Sequence, residues 1–232
     1  MKIGVMQPYF SPYIGYWQLM NAVDKYVIYD DVNYIKGGWI NRNRILMNDE
    51  AKMINLQMHG ASPNKLINEV EVSGDTIYNK KLLKTIESCY KKAPYFSNAY
   101  PILASIITYE ERNLSRYLEN SIKEVCKYLS IGTELITSSA INKNNKLKGQ
   151  DKVIEICKVL GADEYYNAIG GQELYNYQDF ALQGIKLRFI KTKTFEYKQF
   201  NSEFVSGLSI IDVMMFNSVE DIKKMLCQYE LL

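Results

Sequence analysis

KIGVMQPYFSPYIGYWQLMNAVDKYVIYD, residues 2–30, is the stretch that decides the fold. Lys2–Gln7 is a short apolar run cut off by Pro8, which reads as a strand delivering the chain into a loop. Ser11-Pro12 then offers an N-cap with proline at the first helical position. Ile14, Trp17, Leu19, Met20 and Val23 recur at roughly helical spacing and supply one apolar face through Asp24. Lys25–Asp30 is a second strand. A strand, a short helix and another strand in so short a span make a parallel βαβ unit, normally right-handed.

Working outward, KMINLQM (Lys52–Met58) predicts a further strand, HGASPNK a loop holding His59, and EVEVSG a short edge strand. From Thr76 to about Leu129 the apolar spacing turns helical, with a break at Ala93-Pro94. TELITSS (Thr133–Ser139) is a strand, and the polar run INKNNKLKG is the best candidate for a mobile loop. A helix is expected at Gln150–Leu160, then the strand DEYYNA, the bend IGG, and a short helix over 174–182. IKLRFIK and TFEYKQF read as strands, Ser209 as the N-cap of IIDVMMF, and SVEDIKKMLCQYEL as an amphipathic helix capped by Ser218. The expected fold class is α/β: a parallel-type sheet built by residues 1–75 and 131–232, with a predominantly helical insertion or subdomain at 76–130.

Composition narrows the function. A formal charge of +2 lacks the basic excess of a nucleic-acid binder, so no nucleic-acid partner is expected. No stretch approaches the length of a membrane span and the start shows no leader pattern, which predicts a cytoplasmic protein without membrane insertion. Cys89, Cys126, Cys157 and Cys227 are scattered, with no CxxC and no histidine at ligand spacing, so no metal site is expected. Three of them sit in helical apolar patterns and read as core thiols. Nineteen tyrosines are the compositional oddity: the ring packs while the hydroxyl bonds, which suits a sugar or nucleobase site as well as ordinary surface use.

Ligands of a parallel sheet bind outside the carboxyl ends of its strands. Gln7-Pro8-Tyr9 follows the first strand and Asp30-Asp31 the second, so Gln7, Tyr9, Asp30 and Asp31 are candidate site residues, with a strand-terminating turn as the alternative for the aspartates. Lys36, Trp39, Asn41, Arg42, Asn43 and Arg44 follow. Arginine matches phosphate or carboxylate with a planar fork, and asparagine both donates and accepts. If this stretch is extended, Arg42 and Arg44 share a side; if it is a helical turn, Lys36, Ile40 and Arg44 align. A solvated basic face paired to Asp30-Asp31 is the other reading.

Tyr13-Ile14-Gly15-Tyr16 has the shape of the His-x-Gly-His quartet of adenylyl-transferring α/β enzymes, with both histidines replaced by tyrosine. Gly15 would permit close backbone approach to phosphate at the helix start, but neutral tyrosine cannot replace an imidazolium, so a nucleotide site without adenylyl transfer is one reading and chance or helix packing the other. Gly170-Gly171 after DEYYNA offers backbone N–H groups for an anion, or simply a connecting loop. Asp31 and His59 are the candidate proton acceptors, His59 because imidazole titrates near neutrality, with an ordinary surface residue as the alternative for a lone loop histidine. No GxSxG elbow or Ser/His/Asp spacing supports a covalent mechanism.

Three strings resemble the WbqC-like family: MQPYFSPYIGYWQLMNAVDKYVIYDDVNYIKGGWINRNRI, KGQDKVIEICKVLGADEYYNAIGGQELY and FEYKQFNSEFVSGLSIIDVMMFNS. They frame nearly the whole chain, although nothing in 76–130 carries a matching motif. The resemblance implies a role in bacterial surface-polysaccharide pathways such as O-antigen assembly, with transfer of an acyl or aminoacyl group to the amine of a nucleotide-linked amino sugar. It assigns no catalytic residue. A thioester on an acyl or aminoacyl carrier protein is the candidate donor; no triphosphate loop (GxxxxGK[ST]) appears, and no cofactor is expected. A non-catalytic sugar-nucleotide-binding or scaffold protein and a nucleotidyltransferase are the alternatives.

Overall fold

The computed structural model describes residues 1–200 and 203–232. The first strand, β1, spans Lys2–Met6, the helix α1 spans Ile14–Asn21, and β2 spans Lys25–Ile28. β1 and β2 pair in parallel from Ile3↔Lys25 to Met6↔Ile28, as the opening stretch predicts. α1 starts later than Ser11-Pro12 suggests: its N-cap is Tyr13, while Ser11 adopts a left-handed φ of 45° and turns the chain ahead of the helix.

The chain then leaves the sheet. β3 (Arg42–Met47) and β4 (Glu50–Asn55) form a separate antiparallel hairpin, and β5 (Met58–His59) pairs with β6 (Glu71–Val72). Three helices follow: α2 (Thr76–Tyr90), α3 (Phe96–Ile107) and α4 (Leu114–Leu129). Asp75 caps α2 by accepting from the N–H groups of Ile77 and Tyr78 at 2.8 and 3.1 Å, and Asn113 caps α4 through Arg116 N–H at 3.1 Å. This segment is an insertion by chain order, yet Leu82, Leu103 and Leu118 share one continuous core with Ile14, Trp17 and Ile28.

The chain returns through β7 (Glu134–Thr137), α5 (Gly149–Leu160), β8 (Glu164–Ala168), α6 (Tyr177–Leu182) and β9 (Lys186–Thr192). α7 (Ile210–Phe216) and α8 (Val219–Leu226) lead into β10 (Tyr229–Leu231), which pairs antiparallel with β9. Two expectations differ from this. The described residues of TFEYKQF form no strand, and the end of the expected last helix is β10, held by its ladder with β9.

The sheet order is β10-β9-β8-β1-β2-β7, parallel except for β10. Alternation along the strands feeds two cores. Tyr26, Ile28 and Tyr166 pack against α1, α3, α4, α7 and α8, while Val27, Tyr165 and Phe189 pack against α5 and α6. The result is a sheet covered on both faces, the setting in which parallel strands occur. Among the described residues, no helix is long and apolar enough to cross a membrane.

A candidate binding crevice at the reversal of strand order

From β1 the chain builds outward to β2 and β7 on one side, then crosses back to lay β8 and β9 on the other. The strand order therefore reverses between β1 and β8, where open α/β sheets leave a crevice outside the strand ends. Register shows it opening. β1 and β8 pair only from Lys2↔Glu164 to Gly4↔Tyr166, although β1 continues to Met6 and β8 to Ala168.

Two lobes occupy that gap, of about 720 and 600 Å³, and share Met6, Gln7, Ile35 and Gly170 as a common waist. The first lobe is completed by Tyr9, Tyr13, Trp39, Asn43, Arg44 and Gly207 among others. The second reaches over β2 and α5 to Tyr29, Val32, Gln150, Asn167, Gly171 and Tyr175.

Three segments are laced together to build the first lobe. Buried Asn43 on β3 donates to the carbonyls of Ser11 and Phe10 at 2.7 and 3.2 Å, fixing the loop after β1. Ser209 donates from its hydroxyl to Ser11 O at 2.8 Å and from its N–H to Arg44 O at 2.9 Å. The same serine caps α7 by accepting from Ile211 N–H at 3.1 Å. Arg44 is thereby set at the mouth: its guanidinium lies 5.5 Å from the ring centroid of Trp39 and donates to Gly207 O at 3.0 Å. Its Nε is buried and has no partner among the described residues. Among the described residues, Arg44 is the one charged side chain lining this lobe. Trp39 and Ile35, about half exposed at 48% and 51%, leave apolar surface beside that charge. Burial pushes the Tyr9 hydroxyl well above its ordinary range, so it stays neutral at physiological pH.

Several expected site residues lie elsewhere. Tyr16 is core, edge-on to Tyr9, Trp17 and Tyr26. Gly15 is tightly packed: a Cβ there would sit 2.9 Å from Thr192 Oγ1 and 3.3 Å from the Tyr13 ring. Asn41 accepts from Tyr34 Oη and donates to Leu56 O at 2.9 Å each, holding the hairpin base. Arg42 lies along β3 on the side of Arg44, but its guanidinium donates to Gly37 O; it does not line the lobe, nor does exposed Lys36.

The aspartates divide. Asp30 is buried and structural, accepting from Ser115 Oγ at 2.9 Å, Ser139 Oγ at 2.7 Å and Ser139 N–H at 2.9 Å. Asp31 pairs with Lys143 at 2.8 Å and Lys152 at 3.0 Å, and both ammonium groups are buried. Burial alone would raise the Asp31 carboxyl, but the ammonium groups of Lys143 and Lys152 outweigh it and hold the group below the ordinary aspartate value. A carboxylate so held is a weak proton acceptor. His59 lies exposed on β5 opposite Glu71 and lines neither lobe, so it has no place beside the waist. Lys143 comes from INKNNKLKG, so the segment read as mobile is anchored by a buried ion pair. Burial pushes the Cys126 and Cys157 thiols up to about 12, leaving both protonated in the core.

A model of the WbqC-like protein family matches residues 7–224. The chain belongs to the WbqC-like family. The match spans all three laced segments of the crevice as well as the helical insertion, where the sequence alone offered no motif. Uncharacterized protein Rv1507c of Mycobacterium tuberculosis (strain ATCC 25618 / H37Rv) is 29% identical over 224 residues, covering 93% of each chain. No solved structure matches. Sequence reasoning reached Gln7, Tyr9, Tyr13, Trp39, Asn43, Arg44 and Gly170 in this WbqC-like crevice, and Gly171 at its second lobe. It missed Ile35, Gly207, Tyr29, Asn167 and Tyr175, of which Tyr29 was legible as a strand-end neighbour of Asp30.

Proposed function

We propose that this WbqC-like protein is a transferase of surface-glycan biosynthesis that acylates or aminoacylates the amine of a nucleotide-linked amino sugar. The observation that carries the reading is the Arg44 guanidinium, stacked on Trp39 at the mouth of a crevice over the strand-order reversal, with no carboxylate in its lining. A planar cation suits a diphosphate, and a half-exposed indole beside it suits a base or sugar face. The amine would enter the waist at Gln7 and Gly170. There its nitrogen attacks the carbonyl of a thioester donor, the C–N bond forms, the C–S bond breaks, and the thiol leaves with the proton shed by the amine. Gly170 lies in the first turn of the 3₁₀ segment Ile169–Leu174, where backbone N–H groups lack an intrahelical acceptor and can face a developing oxyanion. Asp31 and His59 have no part in this scheme.

Among the described residues the lining of the two lobes carries no carboxylate or imidazole, and this favours a second reading: a protein that binds a sugar nucleotide without turnover. One experiment separates the two. A thermal-shift screen against uridine- and thymidine-diphospho amino sugars should give a hit, and mass spectrometry should then find the acylated amine when an acyl thioester is added. Ligand at a hundred times its Kd adds about 2.7 kcal/mol, roughly a 5–10 °C shift for a chain of this size. A shift without product supports the binding module; no shift with any sugar nucleotide ends both readings.

A further inference from the structure

We infer that the second lobe, across the strand-order reversal from Arg44, holds a small uncharged acyl group whose carbonyl accepts a hydrogen bond from Tyr29. Among the described residues no charged side chain lines this lobe, whose walls include Val5, Val32, Val153 and Leu174. Beyond the waist residue Gln7, the polar side chains Asn167, Gln150 and Tyr175 are committed to neighbouring groups. Asn167 donates to Tyr165 Oη at 2.9 Å and accepts from Ala168 N–H at 2.7 Å, and Tyr165 and Tyr175 join their hydroxyls at 3.2 Å. Gln150 donates to Asp179 at 2.7 Å and accepts from Asn176 N–H. A nucleobase or sugar needs several free donors and acceptors, and this wall does not offer them.

Tyr29 differs. Of the described side chains lining the lobe, it carries the buried polar atom without a partner: its hydroxyl meets no acceptor or donor. The ring is fixed from behind by the Lys152 ammonium, 5.3 Å from its centroid, and Lys152 is itself held by Asp31. Burial is the main cause that pushes this hydroxyl above the ordinary tyrosine range, so it remains a donor. An orphan donor at an apolar wall costs stability until a guest supplies one acceptor. A thioester, ester or amide carbonyl supplies one and brings an apolar chain with it. That the guest is an acyl donor rests on the transferase reading above; that it is uncharged, apolar and carries one acceptor rests on the lining.

The test uses an uncharged thioester, butyryl-N-acetylcysteamine, titrated calorimetrically into the full chain with and without UDP. The wild type should bind it whether or not UDP is present. Tyr29→Phe should weaken binding about tenfold, the loss of one hydrogen bond to a buried donor. The same variant should leave the unliganded melting temperature unchanged or raised, because no existing bond is removed. Val32→Trp, which fills the lobe, should abolish binding, and Arg44→Ala should not alter it. Butyrate, the same chain with a charge, should bind at least about tenfold more weakly, since no cation lines the lobe to repay its desolvation. Equal binding by Tyr29→Phe and wild type, displacement of the thioester by UDP, or equal binding of butyrate would each overturn the inference. If UDP and the amino-sugar nucleotides fail to bind while the thioester arms behave as stated, the transferase reading falls and the lobe assignment stands.

Discussion

Removing the Arg44 side chain is the sharpest perturbation of the first lobe. Its guanidinium has one fixed partner, Gly207 O at 3.0 Å, and one stacking surface, Trp39 at 5.5 Å. Its remaining donors can meet a phosphate. A charge-assisted hydrogen bond contributes about 1.5–3 kcal/mol, and about 1.4 kcal/mol is a factor of ten in Kd. Arg44→Ala should therefore weaken UDP binding by roughly 10- to 100-fold in calorimetric titration. Arg44→Lys keeps the charge but loses the planar fork and the stack, so it should fall between the two. Trp39→Ala removes the stack, about 0.5–1 kcal/mol at this exposure, together with the indole face offered to the base or sugar, and should act non-additively with Arg44→Ala because the groups touch. The apo protein should lose a smaller amount, about 1 kcal/mol or roughly 2–4 °C, because Gly207 O is released. UDP affinity unchanged within about twofold in Arg44→Ala, the scatter of an ordinary surface substitution, would refute the assignment, and a larger loss in Arg42→Ala would move the anion site to the other arginine.

Three further outcomes are expected. Asp31→Asn leaves Lys143 and Lys152 buried without their counter-charge and should cost about 3–5 kcal/mol in chemical denaturation at neutral pH. The folded Asp31 carboxyl lies below its unfolded value, so its contribution is present above the ordinary aspartate range and lost as pH falls through the folded value; the gap between wild type and Asp31→Asn should close on acidification. Gly15→Ala drives a Cβ toward Thr192 Oγ1 and should destabilise by about 1–3 kcal/mol, with Thr192→Ala restoring part of the loss and UDP affinity unmoved. Asp212, fully buried on α7, accepts from Tyr90 Oη at 2.8 Å, Tyr197 Oη at 2.6 Å and Gln199 Nε2 at 2.8 Å; Asp212→Ala should cost roughly 3 kcal/mol, and Asp212→Asn less, since burial raises the carboxyl and already disfavours its charge.

The parallel unit was legible because Lys2–Asp30 carries every local signal in agreement: apolar strand, proline break, helical face, second strand. The β3–β4 hairpin was harder to read. Its turn places Asn48 and Asp49 at φ of 51° and 60°, the left-handed pair of a two-residue hairpin, but Arg42 and Arg44 drew attention to charge rather than alternation. β10 exists only because β9 offers it an edge, a tertiary reason absent from three residues of sequence. Asp31 shows the limit for the site. Its two lysines lie far along the chain, Lys152 by 121 residues, so a carboxylate that looked free at a strand end is neutralised by partners no local pattern reveals. Gln7 and Gly170 were found for the opposite reason, since strand ends on one rim meet by topology alone, and Arg44 was found by residue type, the planar fork of an arginine.

Hydrogen exchange of the full chain with and without UDP-glucosamine tests most directly whether the ligand lies at the gap between β1 and β8. Protection concentrated in the segments around Gln7–Tyr13, Ile35–Arg44, Ala168–Gly171 and Gly207 is the expected result. Protection instead at the β5–β6 hairpin around His59 or along α2, with those four segments unchanged, would contradict it.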